Sequence, residues 1–233
     1  MSNTSEIKKN YELYGANTSN VYKIHIMFKE LGITDYEYHS VDIMKGDQFK
    51  PEFLKLNRNN KVPVIVDNTV KGAPFPIFES GAILIYLAEK HGKFLAGTDN
   101  PIERSETLQW LAWQISGQGP FSGQLFHFKY IAKEKIPYAI QRYNDEVHRL
   151  YTVLDGHLKD REYVVGNSLT IADISIYGWA FYLFFNIIVE DWENKYPNVK
   201  RWLELLHTRP VFKEVFEDAE KSFKERAAQL KKE

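Results

Sequence analysis

The apolar pattern of the chain changes once, near Pro101, and this change restricts the possible folds more than any other feature. Before Pro101, strand-like runs alternate with helical segments, and after it apolar residues recur only at helical spacing. A strand, a helix and a strand within about thirty residues are typical of a βαβ unit with parallel strands. The sequence therefore predicts an α/β domain over residues 1–92 and an all-α domain over residues 93–233.

The first domain is predicted to contain a βαβ unit followed by a ββα unit. A helix lies between the first two strands, a short helix is expected near 51–56, and a third helix runs from Ser80 to about Lys90, with Gly92 as its stop. The predicted strands are Tyr11–Gly15, Tyr36–Ile43, Val62–Val66 and Phe75–Phe78.

Capping signals mark several helices of the second domain. Thr170 and Asp173 have the spacing of a capping box, and Pro197 and Pro210 are placed as first-turn prolines. The charged tail from Glu214 is expected to fray. One apolar face predicts a long helix and consists of Ile140, Tyr143, Val147, Leu150, Leu154 and Leu158.

The composition excludes several classes of function. Thirty basic and 31 acidic residues give a net charge of −1, which does not suit nucleic-acid binding. The polar opening and the lack of an apolar run of about 18 residues argue against secretion and a membrane span. The chain has no cysteine, which excludes protein disulfides and CxxC pairs, and no metal-ligand cluster is evident. A small molecule or another protein is the expected partner.

The dipeptide Val62-Pro63 is the first candidate site, because proline at the start of a strand removes a backbone donor. An edge strand or a trans turn would explain it. Alternatively, the peptide bond is cis and turns the Val62 backbone outward, where its N–H and C=O can pair with a bound peptide as an added strand.

Two further candidates are polar segments at the starts of helices. Glu79 and Ser80 precede the third predicted helix, where Ser80 could hold a carboxylate and Glu79 an ammonium, although plain N-capping is the simpler interpretation. Thr18, Ser19 and Asn20 follow the first strand, where α/β sheets commonly bind ligands, although such residues are also ordinary cap and turn residues.

Together the three segments resemble glutathione transferases: a hydroxyl-bearing loop after the first strand, VP before the third, and ES at the third helix. SLTIADI resembles the capping-box segment of the family's helical domain. The segments LYGANTSN, KGDQFKPEFLKLNRNNKVPVIVD, FESGAILIYLAEK, LQWLAWQISGQGPFSGQ and IPYAIQRYNDEVHRLY most resemble the bacterial nu class, which is related to the yeast nitrogen-regulation prion protein.

The resemblance implies a thioredoxin-like glutathione-binding domain, a homodimer and a cytoplasmic location. It also implies a glutathione-dependent disulfide-bond reductase with some transferase activity, since nu-class proteins bind two glutathiones or oxidised glutathione. The alternative is a non-catalytic glutathione-binding regulatory or assembly protein on the same fold. With no cysteine of its own, the chain could reduce a disulfide only through the thiols of bound glutathione.

The resemblance also assigns the site residues. Thr18 and Asn20 match the residues that face the glutathione sulfur, but Ser19 replaces the proline found between them in relatives, so either hydroxyl could meet the sulfur. The remaining assignments are Val62 for the cysteinyl backbone, Glu79 and Ser80 for the γ-glutamyl group, Gln48, Asn60 and Lys61 for the glycyl end, and Arg142 for a second glutathione or the ligand of a partner subunit. Arg142 is equally well explained as a solvated residue of an amphipathic helix.

The segment from Trp110 to Phe128 combines aromatic residues with Gly117, Gly119-Pro120 and Gly123. Glycines and proline predict a kinked helix, which we expect to face the sulfur and to line the pocket for the second substrate. Ordinary core packing would also explain most of these aromatic residues. Tyr14 is predicted to belong to the core, and His127 is predicted to be structural.

Overall fold

The computed structural model describes the backbone of residues 9–230 and the side chains of residues 9–225. Its first unit contains a four-stranded sheet. The elements are β1 (Tyr11–Gly15), α1 (Ser19–Leu31), β2 (Tyr36–Ser40), a 3₁₀ turn (Asp47–Phe49), α2 (Pro51–Leu56), β3 (Val64–Asp67), β4 (Phe75–Phe78) and α3 (Ser80–His91).

The strands lie in the order β2-β1-β3-β4. β1 and β2 are parallel, and β3 is antiparallel to both β1 and β4. The predicted βαβ unit is therefore confirmed. Apolar side chains of α1, β1 and β3 form the core of this unit, and every residue of β3 is buried.

The second unit is helical throughout the part that the structure describes. Its α-helices are α4 (Pro101–Trp113), α5 (Gly119–Phe126), α6 (Pro137–His157), α7 (Ile171–Ala180), α8 (Trp192–Lys195), α9 (Pro197–His207) and α10 (Pro210–Leu230). Two π-helical turns, Gln114–Gln118 and His127–Ile131, flank α5, and a 3₁₀ turn, Phe181–Phe185, follows α7. The fold class is as predicted. The two compact units divide between Leu87 and Ala88, within α3, whereas the predicted boundary follows Gly92.

Two strands are shorter than predicted, for local reasons. β2 ends at Ser40 rather than Ile43, because Asp42 turns the chain by accepting hydrogen bonds from the N–H groups of Met44 and Lys45 at 3.1 and 3.2 Å. β3 begins at Val64 rather than Val62, because Pro63 has no N–H to contribute to the ladder.

The predicted helix starts at Pro197 and Pro210 are confirmed, and so is the capping box of α7. Asp173 accepts hydrogen bonds from the N–H and hydroxyl of Thr170 at 3.0 and 2.9 Å. The expected fraying of the tail from Glu214 to Glu233 is wrong as far as Leu230, whereas residues 231–233 lie outside the described part of the chain, and α10 continues to Leu230. Its apolar side chains pack on the unit, and the ring of Phe223 stacks on that of Phe185.

Candidate functional site

The three candidate segments lie together at one edge of the sheet. The end of β1 at Gly15 lies beside the end of β2 at Ser40. The antiparallel register places Tyr14 opposite Val64, and Val64 opposite Phe78. The ends of β1, β2 and β4 and the start of β3 therefore meet at the same edge. The residues that follow β1 and β4, and those that precede β3, are the segments singled out from the sequence.

The Val62 backbone is available at this edge. The Val62–Pro63 peptide bond is cis, which was the functional alternative for this dipeptide. Within residues 9–230, no hydrogen bond uses the N–H or the C=O of Val62. Unpaired backbone groups next to a strand can receive an extended ligand in the manner of an added strand.

Asn57 holds the loop that leads to Val62. Its buried side chain donates from Nδ2 to the carbonyl oxygen of Lys61 at 2.7 Å and accepts at Oδ1 from the N–H of Asn59 at 2.8 Å. Asn60 adopts a left-handed conformation with φ of 47°, which asparagine tolerates better than most residues. Hydrogen bonds of the Asn57 side chain, rather than the backbone hydrogen bonds of a strand, therefore hold this loop in place.

Glu79 and Ser80 stand where β4 gives way to α3. Glu79 has a left-handed conformation with φ of 70°, and its exposed carboxylate accepts from Asn59 Nδ2 at 3.2 Å. Ser80 is the first residue of the helix, and its buried hydroxyl lies 3.4 Å from Nζ of Lys23. The two side chains therefore present a negative charge and a hydroxyl side by side.

Lys23 is a charged residue inside the first unit. It lies on α1 and is only 1% exposed. Burial lowers the pKa of its ammonium group to about 7, and the carboxylate of Glu79 acts in the opposite direction. When protonated, Lys23 therefore places a positive charge directly behind the Ser80 hydroxyl.

Thr18 is the N-cap residue of α1. Its carbonyl oxygen accepts from the N–H groups of Val21 and Tyr22 at 3.0 and 3.1 Å, and its extended backbone turns the chain into the helix. The Thr18 Oγ1 atom is buried and has no hydrogen-bond partner within the described residues. Buried polar atoms are normally paired, so an unpaired hydroxyl at this edge indicates a missing partner. Ser19 and Asn20 follow as the first two helical residues, and Ser19 is buried.

The residues predicted for the glycyl end lie in neighbouring loops of the same unit. Gln48, in the 3₁₀ turn after β2, donates from Nε2 to the carbonyl oxygen of Ile43 at 3.3 Å, and its buried Oε1 has no partner among residues 9–230. Lys61 is exposed and Asn60 is half-buried. Lys61 is the cationic side chain among the three.

Arg142 and Tyr14 were also singled out from the sequence. Arg142 lies on α6 of the second unit and is exposed. Tyr14 is half-buried and packs against the apolar cluster of Val41, Phe53 and Val64, as expected for a core residue. Its hydroxyl donates to Glu12 at 2.7 Å, and burial raises the pKa of this phenol.

The aromatic segment of the second unit is irregular where glycine and proline occur. The π-helical turn Gln114–Gln118 ends at Gly119-Pro120, at the position predicted for a kink. A Cβ atom at Gly119 would lie 2.8 Å from Gln114 Nε2 and 3.1 Å from Trp179 Nε1. Five aromatic residues of the segment are half-buried, namely Trp110, Trp113, Phe121, Phe126 and Phe128. Their proposed role at a second-substrate pocket stays a prediction.

Sequence reasoning missed Lys23, Asn57 and Asn59. A signal for Lys23 was present, because it occupies the same helical face as Ser19 and Met27, which lie four residues away on either side and are both buried. Asn57 gave no such signal, since its role depends on the turn that follows.

The described residues contain neither a membrane-spanning helix nor a metal-ion cluster. None of the helices within residues 9–230 has the length and hydropathy needed to cross a bilayer. The same residues contain no group of three or more His, Asp or Glu side chains arranged to hold a metal ion.

Comparison with known proteins places both units in one family. Residues 9–89 match the glutathione S-transferase N-terminal domain, and residues 121–210 match the C-terminal domain. The disulfide-bond oxidoreductase YfcG of Escherichia coli is 44% identical over 208 residues, which cover 86% of this chain and 91% of that protein.

Two solved structures show the same likeness. A glutathione transferase from Pseudomonas putida, with one glutathione disulfide bound per subunit, has a TM-score of 0.83 and 38% identity, and the match covers 91% of this chain and 93% of that one. A homologue from Lodderomyces elongisporus, with two glutathiones per subunit, has a TM-score of 0.83 and 35% identity over 90% of this chain and 98% of its own.

Proposed function

The chain belongs to the glutathione S-transferase family, and from that premise we propose that it is a glutathione-dependent disulfide-bond reductase with glutathione transferase activity. The observation that carries the proposal is the convergence, at one sheet edge, of three groups suited to glutathione: the unpaired Thr18 hydroxyl, the unpaired Val62 backbone and the Glu79-Ser80 pair. The names of relatives, which are disulfide-bond oxidoreductases or proteins solved with glutathione, agree with it.

Each part of glutathione has a proposed partner. Val62 pairs with the cysteinyl backbone as an added strand, and Glu79 faces the γ-glutamyl ammonium. Ser80 and the first-turn amides of α3 receive the γ-glutamyl carboxylate. At the other end, Lys61 attracts the glycyl carboxylate, while Asn60 and Gln48 bind its polar groups.

Thr18 is the proposed donor to the sulfur. A thiol with pKa near 8.5 is only about 3% ionised at pH 7, and lowering that pKa by two units needs about 2.7 kcal/mol of preference for the thiolate. A hydrogen bond to a charged group contributes about 1.5–3 kcal/mol, and a helix N-terminus about 0.3–1. The unpaired Thr18 hydroxyl at the N-terminus of α1 favours it over Ser19, while Asn20 lies in the same first turn.

Disulfide reduction then needs two glutathiones, because the chain has no cysteine. The first thiolate attacks one sulfur of the substrate disulfide, forms a mixed disulfide and releases the other sulfur as a thiolate. The second glutathione thiolate attacks the glutathione sulfur of the mixed disulfide, which yields glutathione disulfide and the second substrate thiol. Arg142 and the aromatic segment from Trp110 to Phe128 are proposed to serve the second glutathione and the substrate. We further propose that the protein is a cytoplasmic homodimer, with domains at 1–92 and 93–233.

The proposal is tested by incubating the protein with glutathione and either hydroxyethyl disulfide or a chlorinated nitroaromatic compound. We expect strong turnover of the disulfide and weaker turnover of the nitroaromatic. Binding of glutathione without either reaction would contradict the proposed activity and favour a non-catalytic binding protein. A variant that combines Thr18→Ala and Ser19→Ala serves as the control for reaction outside the site.

A further inference from the structure

Lys23 is placed where a lysine is rarely found. Lysine side chains are rarely buried, and Lys23 is only 1% exposed on the core-facing side of α1. Its Nζ reaches Ser80 Oγ, 57 residues later in the chain, at 3.4 Å. The helix that carries Thr18 at its N-cap therefore also contacts the first residue of α3.

The direction of this hydrogen bond determines what Ser80 can do. When Lys23 is protonated, its ammonium group has three donors and no acceptor, so Ser80 Oγ is the acceptor. The hydroxyl hydrogen of Ser80 is then directed away from Lys23 and can be donated to another group. At the start of α3 the backbone N–H groups of the first turn also lack partners within the helix. An anion bound at the start of α3 would accept hydrogen bonds both from the Ser80 hydroxyl and from these backbone N–H groups.

The charge of Lys23 favours the same kind of ligand. Burial lowers the pKa of its ammonium group to about 7, and the carboxylate of Glu79 opposes that shift. Two groups at the start of α3 act on Lys23. The Glu79 carboxylate acts through its charge, and the Ser80 hydroxyl acts through its hydrogen bond. A second carboxylate above Ser80 would stabilise the ammonium further, and its binding would draw a proton onto Lys23.

We infer that Lys23 is a positioning residue that makes the site selective for the γ-glutamyl α-carboxylate, by orienting the Ser80 hydroxyl and by placing a buried positive charge behind it. The inference rests on the proposed function and deepens it. It names the part of glutathione that the buried residue recognises, and it predicts that ligand binding and proton uptake are coupled.

The test uses S-methylglutathione, because its thioether does not titrate and cannot release a proton. Calorimetric titration at pH 7.5 in buffers of different ionisation enthalpy measures the protons taken up on binding. For the wild type we expect an uptake of roughly half a proton or more per site. The analogue with 4-aminobutyrate in place of the γ-glutamyl group lacks the α-carboxylate, and we expect it to bind with little proton uptake.

Two substitutions at Lys23 separate charge from structure. Lys23→Met keeps the approximate shape, and we expect it to weaken S-methylglutathione binding roughly 10- to 100-fold, to leave the 4-aminobutyryl analogue nearly unaffected and to abolish proton uptake. Lys23→Arg keeps a charge that does not titrate near neutral pH, so it should retain discrimination between the two ligands without proton uptake. Lys29→Met, on the same helix, is the matched control and should behave as the wild type.

The outcomes distinguish this inference from the proposed function. Tight binding of S-methylglutathione without proton uptake, or equal loss of both ligands in Lys23→Met, would overturn the role of Lys23 and leave the glutathione site intact. Failure of the wild type to bind S-methylglutathione at all would overturn both. If Lys23→Arg does not fold, the affinities of Lys23→Met for the two ligands still test the proposed role of Lys23.

Discussion

The side chain of Asn57 donates to the carbonyl oxygen of Lys61 at 2.7 Å, and the loop that presents Val62 depends on this bond. Asn57 is 1% exposed, so its amide cannot exchange this partner for water. The bond links the end of α2 to the residue directly before Val62. A side chain outside the ligand-contacting set thereby shapes the proposed site.

Replacing Asn57 should therefore reduce both stability and ligand binding. We expect Asn57→Ala to lower the free energy of unfolding by about 1–3 kcal/mol, because it leaves the Lys61 carbonyl and the Asn59 N–H unpaired, and to weaken glutathione binding. Asn57→Asp keeps an acceptor for Asn59 but cannot donate to Lys61, so it isolates the second bond. Denaturant unfolding and calorimetry measure the two effects. Unchanged affinity in both variants would show that the loop does not need Asn57.

Gly119 and Gly156 form a matched pair in the helical unit. A Cβ at Gly119 would lie 2.8 Å from Gln114 Nε2 and 3.1 Å from the Trp179 indole nitrogen, so Gly119→Ala should destabilise the protein by about 1–3 kcal/mol through overpacking. Gly156 is exposed within α6, and no atom lies within 4 Å of the corresponding Cβ position. Gly156→Ala should stabilise the protein by about 0.4–1 kcal/mol. Opposite signs in thermal unfolding are the expected result, and equal signs would contradict this packing.

His207 should make the second unit sensitive to mild acid. Its ring contacts Phe184 and Phe216, its Nε2 lies 2.7 Å from the Tyr177 hydroxyl, and burial lowers the pKa of the imidazole to about 4. The unfolded chain has a histidine pKa near 6.5, so it binds the proton first. The stability contributed by the neutral ring is present above pH 6.5 and is lost as the pH falls toward 4.

The check is denaturant unfolding at several pH values between 7 and 4. The wild type should lose more stability across this window than His207→Gln, which cannot titrate. Substitution of the exposed His127 by Gln provides the control. If His207→Gln retains the full pH dependence, another group is responsible.

The sequence was sufficient for the order of the elements because apolar spacing distinguishes β1, β3 and the long helices directly. The side-chain chemistry of short segments also predicted the capping box of Thr170 and Asp173 and offered a cis Val62–Pro63 bond as one alternative. The sequence offered a signal for the burial of Lys23 but none for its contact with Ser80 in another helix, and it did not predict that α10 extends to Leu230. The proposal of Thr18 over Ser19 also draws on the fold, because only the fold shows that the Thr18 hydroxyl is fully buried without a partner among the described residues.

The most direct test of the glutathione site is the pKa of the bound thiol, followed by the ultraviolet absorbance of the thiolate as the pH is varied. In the wild type it should lie below the value near 8.5 of a free thiol, since Thr18 and the start of α1 stabilise the anion. Thr18→Ala should raise the bound-thiol pKa by about one unit or more, whereas Ser19→Ala should leave it nearly unchanged. An unchanged pKa in Thr18→Ala would contradict the proposed role of the unpaired hydroxyl, and a raised pKa in Ser19→Ala would transfer that role to Ser19.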